Sequence, residues 1–92
     1  MNVAQKEQRR EERRAAAGRV HVRFRDPRPI SIDGWLIDIS THGFRMAHNF
    51  SSLAAGQIVE FSHPETAGRA QVMWNRILDG GMETGFRIVA ES

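Results

Sequence analysis

Cysteine is absent from the chain. Disulfide frameworks, thiolate metal sites and cysteine nucleophiles are excluded with it, and stability has to come from packing, in keeping with a reducing compartment. Long apolar runs are missing as well. None exceeds three residues, Trp35-Leu36-Ile37 being one, whereas about 18 are needed to span a bilayer. The first residues are charged where a signal peptide is apolar, so the expectation is a soluble, cytoplasmic protein. Length is short too: 92 residues, 40% of them hydrophobic, build one small domain. A surface recognition site suits that size better than a deep, dry catalytic cavity. There is no tandem repeat or low-complexity tract, and no nucleophile can be matched with a base and an orienting group. The reading is therefore a binding module and not an enzyme.

What the chain does have is unevenly distributed charge. The formal net charge is only +2, yet residues 1–25 carry eight Lys/Arg against three Glu, while the remainder is net acidic. Positive charge gathered at one end points to an anionic partner met by that end. Residues 1–18 are polar and rich in helix formers, but no apolar stripe exists to dock such a helix on a core. They are expected to form a flexible arginine-rich arm, with Gly18 as its stop and residues 19–92 as the folded body.

From Arg19 the apolar period becomes two. Val20, Val22 and Phe24 alternate with Arg19, His21, Arg23 and Arg25, the pattern of a half-buried strand. Asp26-Pro27-Arg28-Pro29 breaks it, and Gly34 opens a second strand. There Trp35, Ile37 and Ile39 are expected on one face, with Leu36, Asp38 and Ser40 on the other. Thr41-His42-Gly43 turns the chain into a third strand around Phe44–Ala47. Gln57–Ser62, Arg69–Asn75 and Met82–Val89 complete the set, the last two joined through Asp79-Gly80-Gly81. Six short strands at near-regular intervals favour an all-β antiparallel barrel, whose closure hides its edges. Trp35, Trp74, Met46 and Met73 read as core. His21, His42, His48 and His63 have no metal-ligand spacing and read as surface or turn residues.

Two motifs stand out. Arg9-Arg10-Glu11-Glu12-Arg13-Arg14 contains R-x-x-x-R twice, as Arg9 with Arg13 and as Arg10 with Arg14. Asp38-Ile39-Ser40-Thr41-His42-Gly43 is a D-x-S-x-x-G. In this order, ahead of a β-rich body, they resemble the PilZ family of cyclic-di-GMP receptors. Gly34 to Ser40 resembles the family's second strand, and Ala70 to Trp74 and Gly85 to Ile88 its two closing strands. The resemblance implies a six-stranded antiparallel barrel that holds cyclic-di-GMP on its outer surface, often as a stacked pair. It also implies that the arginines contact phosphates and guanine faces while Asp38 and Ser40 bind a guanine edge beside Gly43. The arginine roles fall to Arg10 and Arg14 or to Arg9 and Arg13, and the register stays open.

The side chains suit that chemistry. Guanidinium offers a planar fork for phosphate oxygens and a face that stacks on a base. Guanine presents N1–H and N2–H donors along one edge, for which a carboxylate is the matching acceptor and a hydroxyl a further contact. Asp38 is expected on the outer face, free of the core. Gly43 is expected at positive φ, or as a place where a ligand reaches the backbone. The expected function is a cyclic-di-GMP sensor whose ligand-induced arm ordering is read by an effector protein. The alternatives are a PilZ-like adaptor that binds a protein and no nucleotide, and a small RNA-binding barrel. Against the last, the body is net acidic and no aromatic row accompanies the arginines.

Overall fold

The computed structural model describes residues 12–92, and among these the fold is all-β. Seven strands follow in order: β1 (Arg13–Ala15), β2 (Arg19–Arg25), β3 (Pro29–Ser40), β4 (Gly43–His48), β5 (Ile58–His63), β6 (Thr66–Leu78) and β7 (Gly81–Glu91). All pairings are antiparallel, in the order β1-β3-β2-β5-β6-β7-β4, and β4 also pairs with β3. That last pairing closes β2 to β7 into the expected six-stranded barrel. The short β1 lies outside the ring, beside the end of β3 that β2 leaves free: Arg13, Arg14 and Ala15 face Ser40, Ile39 and Asp38. Among the described residues no helix is long and apolar enough to cross a membrane.

β1 takes in residues that the charge pattern assigns to the arm. A polar segment needs no apolar stripe to dock when its backbone can extend a ladder. The bonds from Ala16 N–H to Ile37 O and from Leu36 N–H to Gly18 O continue the ladder between β1 and β2. β3 begins at Pro29 rather than Gly34, because Ile30-Ser31-Ile32-Asp33 already alternates and pairs with β2. A proline is tolerated there as the first strand residue. The β6–β7 hairpin turns through Asp79-Gly80, with Leu78 opposite Gly81 and Gly80 at φ +80°. Such a two-residue loop requires the left-handed backbone that glycine adopts freely.

The core is built on alternation. Val20 and Val22 of β2, Phe44 and Met46 of β4, Val59 and Phe61 of β5, and Val72 of β6 are buried. Phe44 lies at its centre, its ring 4.8 Å from both Phe61 and Phe86. Full burial of each such side chain contributes roughly 1.5–3 kcal/mol. The loop after β4 covers one end of the barrel, with Leu53 buried and Phe50 set edge-on to Phe24 at 6.0 Å.

Two of the four histidines are interior, contrary to the expectation from spacing. His48 Nδ1 accepts from Phe50 N–H at 3.0 Å, so its Nε2–H donates to Thr84 Oγ1 at 2.6 Å. Thr84 donates on to Asn75 Oδ1, and Asn75 donates to Leu53 O. A polar chain thus tethers the capping loop to β6 and β7, and burial holds the His48 pKa below the usual histidine value. His63 is buried against Phe44 and Phe61 with Nδ1 accepting from Glu65 N–H, and its Nε2 has no hydrogen-bond partner among the described residues. Burial lowers its pKa too, against an opposing pull from Glu65.

Candidate functional site

A β-bulge in β3 decides the site. Trp35 faces Ala47 and Leu36 faces Met46, but the next paired residue is Asp38, opposite Arg45. Ile37 is the extra residue, and a bulge of one residue exchanges the two faces beyond it. Simple alternation predicts Asp38 beside Leu36. Instead Leu36 and Ile39 pack on the core, while Trp35 and Asp38 belong to the outer face. Trp35 is 57% exposed, with the Arg19 guanidinium 4.6 Å from its ring centre. The expectation of a core tryptophan fails there because the bulge follows it.

Asp38 is on the outer side yet only 6% exposed, since two arginines cover it. Arg45 sits on the adjacent strand and donates from Nε to Oδ1 and Oδ2 at 3.0 and 2.9 Å, and from Nη2 to Oδ2. Arg13 of β1 donates from Nη1 to Oδ1 at 2.8 Å. Arg45 reaches the other way as well, from Nη1 to Glu83 Oε2 at 2.9 Å, and Arg76 of β6 donates to Glu83 Oε1 at 2.7 Å. Three guanidiniums and two carboxylates thus alternate across five strands. Burial alone would raise the Asp38 carboxyl, but the hydrogen bonds from Arg45 and the charges of Arg13 and Arg45 outweigh it. The group is held below the usual carboxylate range.

Beside this network runs an open groove of about 390 Å³, bordered by Arg13, Ser40, His42, Gly43, Trp74 and Arg87. Ser40 is buried, its hydroxyl 3.4 Å from Gly43 O. The expectation for Gly43 is corrected in part. It is absent from the positive-φ glycines, and a Cβ there would come 2.2 Å from Phe86 O. Its lack of a side chain lets β4 approach β7. Trp74 is 37% exposed, against the core role expected of it. A bulge between Val72 and Trp74 leaves Met73 unpaired and turns Met73 and Trp74 outward, so Met73 too is exposed, against the core role expected of it. Gly85 makes room for the indole, since a Cβ there would lie 2.3 Å from the ring.

Of the first motif, Arg13 meets Asp38 and enters the groove. Arg14, one strand position on, points away and pairs with the exposed Glu65. That hydrogen bond lowers the Glu65 pKa. Arg9 and Arg10 lie outside the described residues. The structure therefore brings together Arg13, Asp38, Ser40 and Gly43, and adds Arg45, Glu83, Arg76, Trp74 and Arg87. Arg45 is the one that sequence reasoning had a signal for, as the outward position between the inward Phe44 and Met46. No protein-family model and no curated protein matches the chain.

Proposed function

We propose that this barrel is a PilZ-like receptor for cyclic-di-GMP, bound in the outer groove beside Arg13 and Asp38. The observation that carries the reading is the meeting of the two motifs: Arg13, from the R-x-x-x-R segment, is hydrogen-bonded to Asp38, 25 residues further on. The groove adjoining them falls within the range of about 300–1,000 Å³ common for small-molecule sites. Its lining suits a guanine dinucleotide, with the Arg13 and Arg87 guanidiniums for phosphate, an indole face for a purine and the Ser40 hydroxyl for the guanine edge, and the Asp38 carboxylate becomes a further acceptor when Arg13, which covers it, turns away. The geometry favours the Arg9 and Arg13 register, because Arg14 is turned toward Glu65. In this reading the protein is a non-catalytic, cytoplasmic sensor. Its signal is the altered segment ahead of β1 together with the ligand-covered surface, read by an effector protein.

A second reading is favoured by one observation. Both Asp38 oxygens are already engaged by Arg45 and Arg13, as a purely structural clasp would require. The barrel would then be an adaptor for a protein partner, with no nucleotide. Calorimetric titration separates the two, with cyclic-di-AMP as the control for base selectivity. Saturable heat with cyclic-di-GMP and none with the adenine analogue supports the receptor, and the absence of heat with either supports the adaptor.

A further inference from the structure

The two arginines on Asp38 are not equivalent. Arg13 reaches one carboxylate oxygen from a three-residue strand outside the barrel ring, and its side chain is 40% exposed. Arg45 reaches both oxygens from a barrel strand, is 28% exposed, and is tied at its far side to Glu83. Glu83 is only 3% exposed and is held in turn by Arg76. A planar guanidinium gripped at both ends fixes the plane and rotation of the carboxylate it binds.

We propose that Arg45 is the positioning residue of the guanine-edge acceptor: it stays on Asp38 when ligand binds, while Arg13 is the partner that exchanges. This rests on the cyclic-di-GMP reading. A guanine edge bringing two donors to Asp38 needs an accepting direction that the free protein fills with Arg13. Leaving Asp38, the Arg13 guanidinium is already at the wall of the groove and can turn to a phosphate oxygen, so the exchange conserves the charge pairing on both sides. Arg45 has no such freedom, because moving it would also uncover Glu83. Among the described residues the charged groups facing Asp38 are Arg13 from β1 and Arg45 from β4, with Glu83 of β7 and Arg76 of β6 behind Arg45.

The test compares cyclic-di-GMP titrations of the wild type, Arg45→Gln and Arg45→Lys at pH 7.5 and pH 5, with folding of each checked by circular dichroism. Arg45→Gln is expected to weaken binding about ten- to 100-fold. Its loss should grow at pH 5, where a carboxylate deprived of its main donor begins to take up a proton. Arg45→Lys keeps the charge without the fork, so its affinity should change with pH as the wild type's does, with only part of the affinity restored. A folded Arg45→Gln with wild-type affinity at both pH values, beside a wild type that binds, overturns the positioning role alone. A wild type that does not bind cyclic-di-GMP overturns the receptor reading and this inference with it.

Discussion

Asp38→Ala offers a sharp test of the buried network. The substitution removes the acceptor of four hydrogen bonds, one from Arg13 and three from Arg45. A fully buried ion pair broken on one side costs about 3–5 kcal/mol. Here the guanidiniums left behind can rehydrate, their side chains being 40% and 28% exposed. The range for hydrogen bonds to charged groups, about 1.5–3 kcal/mol, sets the scale. At about 4–8 °C per kcal/mol for a domain of this size, the Tm should fall by about 6–24 °C. Because the folded carboxyl is lowered, its contribution is present above the unfolded value of about 4 and is lost as pH falls through the folded value. The stability gap between the wild type and Asp38→Ala should therefore be open at pH 7 and narrow below about pH 4. Urea denaturation followed by circular dichroism at pH 7 and pH 3 measures both. A gap under about 0.5 kcal/mol at pH 7 would mean that the network behaves as a surface ion pair, and the reasoning fails.

Lowering the pH from 7.5 to 5 should lower the urea midpoint, since His48 and His63 have depressed folded pKa values and the unfolded chain binds protons first below about 6.5. His63→Leu should flatten that slope, and an unchanged slope would contradict the assignment. Gly43→Ala should destabilise by about 1–3 kcal/mol in the same assay, because the added methyl meets Phe86 O at 2.2 Å. Trp74→Ala should weaken cyclic-di-GMP binding by about 1–3 kcal/mol, the value of one base–aromatic stack. Trp35→Ala, on the part of the outer face beside Arg19, should leave the affinity unchanged by the same titration.

The barrel was legible because alternation survives in most strands: Val20, Val22 and Phe24 announce β2, and Asp79-Gly80 announces the hairpin. What misled was the assumption that alternation runs unbroken. The bulge at Ile37 leaves Asp38 on the outer face as expected but puts Leu36 in the core and Trp35 outside, and the one at Met73 turns Trp74 outward. Neither has a composition signal, since a bulge is chosen by how six strands close and not by the local residues. His48 was read as a surface or turn residue, and Thr84 was passed over, for a related reason. Each is polar at an inward position, and its hydrogen-bond partner is supplied from a distant strand. The contact of Arg13 with Asp38 was not expected without ligand, because the arm was read as flexible while β1 docks through its backbone ladder, and Arg45, Glu83 and Arg76 become a network only when β4, β6 and β7 lie side by side.

The most direct measurement of the central claim is calorimetry with cyclic-di-GMP on three proteins: the wild type, Arg13→Ala and Arg14→Ala. The groove described above contains Arg13, whereas Arg14 is committed to Glu65. The wild type should bind, Arg13→Ala should lose roughly ten- to 150-fold in affinity, and Arg14→Ala should stay close to the wild type. A wild type without binding heat, or a loss confined to Arg14→Ala, would contradict the account.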